Sequence, residues 1–205
     1  MIAIITGDII ASRKLTDQGK WLIPLKNLFQ QWGKSPKDWE LNRGDSFQLE
    51  IKDVENSLKK ALQIKAIIKK TGVVDVRLAI GIGEKTYVGE SISESNGTAF
   101  INSGEKFDSL KKENISLGVK SIWTNFDEEI NLYLKLIGLF MDNWSISSAE
   151  LMQIVLQCPS ATQEEIGKQL GIKQNSVSGR WKRANVNEVL AVEKMFRKRI
   201  NSKLR

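Results

Sequence analysis

In the first 83 residues, apolar side chains recur with two different spacings in successive segments. The order of these segments constrains the fold more than any other feature of the chain. Apolar residues at every second position indicate strands, and apolar residues three and four positions apart indicate amphipathic helices. Two of the strands flank a polar Asn-Arg-Gly-Asp-Ser segment, as expected for a hairpin. The predicted elements are a strand at 1–6 that breaks at Gly7-Asp8, a helix at 18–33, strands at 38–41 and 47–51, a helix at 54–72 and a strand at 74–82.

The order β-α-β-β-α-β predicts a ferredoxin-like α/β (α+β) domain. Right-handed crossovers in such a unit place the first and third strands side by side and antiparallel. The end of the first strand and the beginning of the third strand then share one edge of the sheet. We therefore expect Asp8 and Asp45 to lie together, although 37 positions separate them in the chain.

Charge divides the chain near residue 145. Residues 145–205 hold 11 Lys and Arg against 5 Asp and Glu, a net charge of +6, whereas residues 1–144 hold 20 against 19, a net charge of +1. A basic excess confined to one small segment is expected of a module that contacts phosphate. A helix predicted at 127–143 is apolar on two faces, so we expect it to connect the two domains and to pack between domains or between the subunits of a homodimer.

Composition excludes several kinds of site. The chain contains no histidine and a single cysteine, so zinc sites and catalytic pairs that need histidine are excluded, and any metal would be held by carboxylates. No apolar run reaches the roughly 18 residues needed to span a bilayer, and the first residues lack a signal-peptide pattern. We therefore expect a cytoplasmic protein that does not associate with a membrane.

The capping, apolar and glycine residues in 162–184 have the spacing of a DNA-binding helix-turn-helix, which is an all-α structure. Thr162 and Glu165 have the form of a capping box that begins a helix, and Gly171 ends this helix before a tight turn. A second helix over about 174–184 presents a polar and basic face. The predicted DNA-contacting residues are Gln174, Asn175, Ser176, Ser178, Arg180, Lys182 and Arg183.

The residue types on this second helix suit double-stranded DNA. Amide side chains near the start of a helix can bind adenine edges in the major groove, and lysine and arginine further along suit phosphates. The alternative is an ordinary helical hairpin with a solvated basic face. The DNA-binding interpretation predicts a transcriptional regulator.

Four segments of the N-terminal part resemble one protein family. They read I-T-G-D-I-I-x-S-R at 5–13, N-R-G-D-S-F-Q-L at 42–49, V-R-L-A-I-G-I-G at 76–83 and E-S-N-G-T-A-F at 94–100. Together with the C-terminal helix-turn-helix, these segments resemble the SatD family. The same segments look like a degenerate class III nucleotidyl cyclase domain, a fold shared with GGDEF domains and polymerase palms.

The cyclase resemblance implies a site for metal ions and a nucleotide. It assigns metal binding to Asp8, Asp45 and the backbone of Ile9, with Mg²⁺ or Mn²⁺ as the ion. It also makes Asn102 and Lys106 weak catalytic candidates, with Lys where the family has Arg. A base-selecting lysine is absent, because Leu41 stands at its position. The candidate nucleotide-binding residues are Ile10, Ser12, Arg13 and Arg43.

Three interpretations of the N-terminal domain stay open. It is the nucleotide-binding domain of a regulator, a metal-dependent nucleotidyl cyclase or related nucleotidyltransferase that carries a helix-turn-helix, or a ligand-free dimerisation scaffold. The missing base-selecting lysine argues against the enzyme. Locally, Asp8 as a helix cap and Asp45 as a turn residue are the alternatives to metal binding.

Overall fold

The computed structural model describes residues 1–42 and 45–204 and shows a mixed α/β fold. Up to residue 83 its strands and longer helices follow the order predicted from the hydrophobic periods. The strands are β1 (Ile2–Ile10), β2 (Trp39–Leu41), β3 (Ser46–Ile51), β4 (Asp75–Gly83) and β5 (Leu117–Lys120). The helices are α1 (Gly19–Gln30), α2 (Ser57–Lys69), α3 (Thr98–Glu113), α4 (Thr124–Met141), α5 (Ile146–Gln157), α6 (Gln163–Leu170), α7 (Gln174–Arg183) and α8 (Val186–Lys203).

A five-stranded mixed sheet with the order β2-β3-β1-β4-β5 organises the described N-terminal residues. β1 lies at the centre and is antiparallel to both β3 and β4, whereas β4 and β5 are parallel. The predicted antiparallel pairing of the first and third strands is therefore present. β5 is not predicted from the hydrophobic pattern, because its four residues are too few to show a period.

β1 extends further than its apolar run indicates. The predicted break at Gly7-Asp8 is wrong, because β3 and β4 pair with the strand through both residues. Glycine is required at position 7, since a Cβ there would stand 2.4 Å from the ring of Phe47. Asp8 therefore lies inside β1, between Ser46 of β3 and Arg77 of β4, and is not a cap in a turn.

Helices cover both faces of the sheet. α3 packs on one face, where the Thr6 hydroxyl donates to Ser103 Oγ at 3.0 Å. Gly81 of β4 permits this close approach, because a Cβ there would lie 2.2 Å from the carbonyl oxygen of Ala99. On the opposite face, Ile5 and the other inward side chains of β1 belong to a core shared with α1 and α2.

The C-terminal helices pack on this same helical layer. α5 lies against α2, and α8 contacts both α2 and α4. Buried apolar side chains from both parts of the chain form one continuous cluster, and Trp144 Nε1 donates to the carbonyl of Ala184 at 3.0 Å. The boundary predicted near residue 145 thus falls between α4 and α5, at a point where the cores on either side are joined. No helix within the described ranges is both long enough and apolar enough to cross a bilayer.

A buried ion-pair network ties the sheet to the end of α4, three residues before the predicted boundary. Lys65 of α2 has only 1% of its side chain exposed, and its ammonium lies 2.7 Å from Asp75 and 2.6 Å from Asp142. The Ser116 hydroxyl also donates to Asp142, at 2.6 Å. Because Asp75 begins β4 and Asp142 follows α4, one ammonium group links three elements at the junction between the two parts.

Candidate nucleic-acid interface and carboxylate site

α6 begins and ends as the sequence predicts. The Glu165 amide donates to Thr162 Oγ1 at 3.3 Å, and the Thr162 amide donates to Glu165 Oε2 at 2.7 Å, which completes a capping box. The amide and the hydroxyl of Thr162 both stabilise the ionised carboxylate and so lower the pKa of Glu165. Gly171 then ends the helix with φ +65°, a conformation that glycine adopts at little cost.

α6 and α7 cross at close range. A Cβ at Gly167 of α6 would stand 2.8 Å from the carbonyl oxygen of Ile172 and 3.4 Å from Val177. Val177 is fully buried, and Trp181 Nε1 donates to Asn187 at the start of α8 with a distance of 2.9 Å. These contacts hold the two helices as one unit through the inner side of α7, so its outer side is left to solvent.

The outer face of α7 carries most of the predicted DNA-contacting residues. Within the described structure, α6 and α7 pack mainly against each other, α5 and α8, so the sheet does not cover this face. Ser178 is partly buried. The exposed members of the set are Gln174, Asn175, Ser176, Lys182 and Arg183.

Arg180 differs from the other predicted contacts. Its guanidinium Nη1 lies 3.2 Å from a carboxylate oxygen of Glu150 on α5, and 21% of its side chain is exposed. The positive charge is thus already paired inside the protein. Arg180 holds α7 against α5, and the structure does not place it among the free charges of the outer face.

Asp8 and Asp45 lie at the same end of the β1–β3 pair, as predicted. The Ile9 amide donates to the carbonyl of Asp45 at 2.9 Å, and the Ser12 hydroxyl donates to Asp45 Oδ2 at 2.5 Å. Asp8 faces Ser46, the residue after Asp45, across the ladder. The structure therefore brings Asp8, Asp45 and Ser12 into one carboxylate cluster, while the Ile9 amide is used by strand pairing.

The electrostatic surroundings of Asp8 disfavour its charge. Burial is the main cause that raises the pKa of Asp8, and the negative charge of Asp45 adds to it, while Arg77 and Lys111 act in the opposite direction. Arg77 Nη1 lies 3.3 Å from Asp8 Oδ2, and the buried Arg77 Nε has no hydrogen-bond partner among the described residues. Burial therefore opposes the ionised form of Asp8 more strongly than Arg77 and Lys111 favour it.

Two of the remaining nucleotide-binding candidates, Ile10 and Arg13, lie next to Ser12 in the chain or are separated from it by one residue. Ile10 is the last residue of β1 and is partly buried, whereas Arg13 is exposed one residue after Ser12. Ala11 between them has φ +61°, so the chain turns sharply where β1 ends. Arg43 lies outside the described residues.

Asn102 and Lys106 do not join the carboxylate cluster. The Asn102 amide donates to the carbonyl of Ile82, which lies five residues along β4 from the partner of Asp8, or about 17 Å along a strand. Lys106 lies on the side of α3 that faces β5. Asn102 and Lys106 are four residues apart and both lie on α3, but this spacing does not determine how α3 lies on the sheet.

Sequence reasoning missed two basic residues of the cluster. Arg77 is paired with Asp8 in the β1–β4 register, and continuation of β1 past Gly7 would have been the signal that identified it. Lys111 of α3 lies near enough to lower the pKa of Asp8. No local pattern indicates this proximity, because it depends on the packing of the helix against the sheet.

The carboxylate cluster fits a metal only together with a ligand. Among residues 1–42 and 45–204, no three His, Cys, Asp or Glu side chains are grouped so that they could hold an ion by themselves. Mg²⁺ commonly uses one or two carboxylates when nucleotide phosphates supply further oxygens. Asp8 and Asp45 supply two carboxylates at this end of the β1–β3 pair.

Comparison with protein-family models, with curated proteins and with solved structures finds no match to this chain. The functional inference therefore depends on the two sites described above. These are the outer face of α7 and the carboxylate cluster.

We expect Asp8→Asn to leave the melting temperature at neutral pH unchanged or raised, although the substitution removes half of an ion pair. A raised pKa means that Asp8 contributes stability below the usual carboxyl pKa, and that this contribution is lost as pH rises through the raised value. Asparagine keeps an oxygen for Arg77 and has no charge. Thermal melts from about pH 4 to pH 8 should show wild type losing stability relative to the variant as pH rises.

The matched control for this comparison is Asp108→Asn, which changes an exposed aspartate on α3. A clear drop in the melting temperature of Asp8→Asn at neutral pH would contradict the prediction. Asp8 would then be a stabilising partner of Arg77, and its charge would need no ligand.

Proposed function

We propose that this protein binds duplex DNA through a helix-turn-helix formed by α6 and α7 and acts as a regulator of transcription. The observation that carries the proposal is the exposed polar first turn of α7 on a helix pair held rigidly from behind. In this class of module the second helix enters the major groove with its N-terminal residues against the bases.

The side chains on α7 match the two kinds of contact that such a helix makes. Gln174 and Asn175 are exposed in the first turn, and amides of this type can bind adenine through two hydrogen bonds. Lys182 and Arg183 are exposed about two turns further along, where they suit phosphates. The net charge of +6 over residues 145–205 supplies general attraction to the duplex.

The proposal also includes the finer classification of the N-terminal part as a ferredoxin-like, nucleotidyl cyclase-like domain. The order of its elements and the central position of β1 between β3 and β4 support this classification. The four sequence segments that resemble the SatD family lie largely on β1, β3, β4 and the approach to α3.

A second candidate function is binding of a nucleotide with Mg²⁺ or Mn²⁺ at the carboxylate cluster. The observation in its favour is that Asp8 and Asp45 lie at the same end of the β1–β3 pair, where their carboxylates offer oxygen ligands to a divalent cation. Arg77 and Lys111 lie close enough to attract phosphate. The bound metal would supply a Lewis acid to the phosphates. The distant positions of Asn102 and Lys106 favour binding over catalysis.

Calorimetric titration of the full chain with ATP and GTP in the presence of Mg²⁺ tests the second function. We expect binding by wild type and a loss of affinity of about tenfold or more in Asp45→Asn, because one of two anionic ligands is removed. Asp108→Asn should bind as wild type does. Absence of binding by wild type, or equal affinity in Asp45→Asn, would contradict a metal and nucleotide site here.

Selection from a random pool of duplex DNA with the full chain tests the main function. A preferred sequence should emerge after repeated rounds of binding and amplification. Recovery of DNA that shares no sequence, or recovery of no DNA, would contradict sequence-specific binding.

A further inference from the structure

α4 has a second apolar face that no described element covers. One stripe of the helix is buried in the core, and the five large apolar side chains on the other side remain open to solvent. The buried stripe contains Phe126, Ile130, Leu134, Ile137 and Met141. The exposed ridge consists of Leu132 (58% exposed), Tyr133 (38%), Leu136 (49%), Leu139 (66%) and Phe140 (37%). A helix that is apolar on two sides is normally buried on both.

A groove runs beside this ridge, between α3 and α4. It consists of two adjoining cavities of about 170 Å³ and 180 Å³, which share Glu113, Ile115 and Lys135 in their walls. Leu110 also lines it, and Gly138 leaves space open where a side chain would stand. Because ridge and groove lie side by side on one surface, a two-fold rotation can place the ridge of one copy in the groove of another.

We propose that a second copy of this chain binds at the surface formed by the α4 ridge and the α3–α4 groove. At about half exposure each ridge side chain offers on the order of 90 Å², since large side chains bury about 150 to 250 Å² in full. Two ridges then bury roughly 900 Å². The groove walls other than Leu132 and Leu139, which are already counted in the ridge, bring the total toward the approximately 1,200 to 2,000 Å² of stable interfaces.

This proposal does not depend on DNA binding. The mass of the protein in the absence of DNA tests it alone, so failure of one proposal leaves the other open to its own test. If both hold, the dimer carries two α7 helices, and a selected DNA sequence with two related half-sites would indicate that both bind one duplex.

Light scattering after size exclusion measures the mass of the full chain and of two variants. Wild type should have twice the mass of one chain at micromolar concentration. Leu136→Glu places a carboxylate at the middle of the ridge and should weaken association by about a hundredfold or more, because it replaces an apolar contact with a charge that must lose its water on binding. Ile23→Glu is the matched control, since Ile23 is 60% exposed on α1, and it should remain a dimer.

Circular dichroism melts establish that both variants are folded, and Leu139→Lys at the most exposed ridge position provides a second disruption. A monomeric wild type would overturn the proposal. A dimer that survives both ridge substitutions, or that Ile23→Glu disrupts equally, would overturn it as well.

Discussion

Lys65→Met is expected to lower the free energy of unfolding by about 3 kcal/mol, near the lower end of the cost of breaking a buried ion pair. Lys65 has 1% of its side chain exposed and serves two carboxylates, Asp75 and Asp142. Both acids lose a partner in the variant. The full cost of about 3 to 5 kcal/mol is reduced because Asp142 is 43% exposed and Lys69 stays within 3.3 Å of Asp75.

Urea unfolding of the full chain measures this effect. Lys59→Met on the same helix, at a partly exposed lysine, is the matched control and should change the free energy of unfolding by less than about 0.5 kcal/mol. The double variant Lys65→Met with Asp142→Asn should recover part of the loss, because one unpaired charge is removed. Equal stability of Lys65→Met and wild type would show that the network does not hold α2, β4 and the end of α4 together.

The double substitution Gln174→Ala with Asn175→Ala is expected to reduce discrimination between the selected duplex and a scrambled one. Each lost base contact should cost about 1 to 3 kcal/mol on the selected sequence and little on the scrambled one. The reason is that both amides are exposed in the first turn of α7, where a helix in the major groove meets base edges.

Lys182→Ala should behave differently and weaken binding to both duplexes alike, because a phosphate contact carries no sequence information. Gln157→Ala, an exposed amide at the end of α5, is the control and should change neither affinity. Fluorescence anisotropy with labelled duplexes measures all of these affinities. Loss of discrimination in Lys182→Ala, with discrimination retained in the double variant, would contradict the assignment of the two ends of α7.

Local patterns were sufficient to predict much of this architecture. The capping box at Thr162 and the left-handed end at Gly171 each depend on a few neighbouring residues, so both could be read from the sequence. The meeting of Asp8 and Asp45 followed from the order of the elements, because right-handed crossovers leave few arrangements of four strands.

Features that depend on packing between distant elements could not be predicted. β1 runs through Gly7 and Asp8 because β3 and β4 pair with it there. Glycine weakens an isolated strand, but at position 7 it is needed to make room for Phe47. The pairing of Arg180 with Glu150 is a further example, because neither residue signals this pairing locally.

The central claim is that the outer face of α7 binds DNA, and the salt dependence of binding by the full chain tests it most directly. Affinities for the selected and the scrambled duplex would be measured over a series of salt concentrations. The proposed site predicts that the logarithm of each binding constant falls linearly with the logarithm of salt concentration, with tighter binding to the selected duplex throughout. Binding that is absent at low salt, or that does not change with salt, would contradict it.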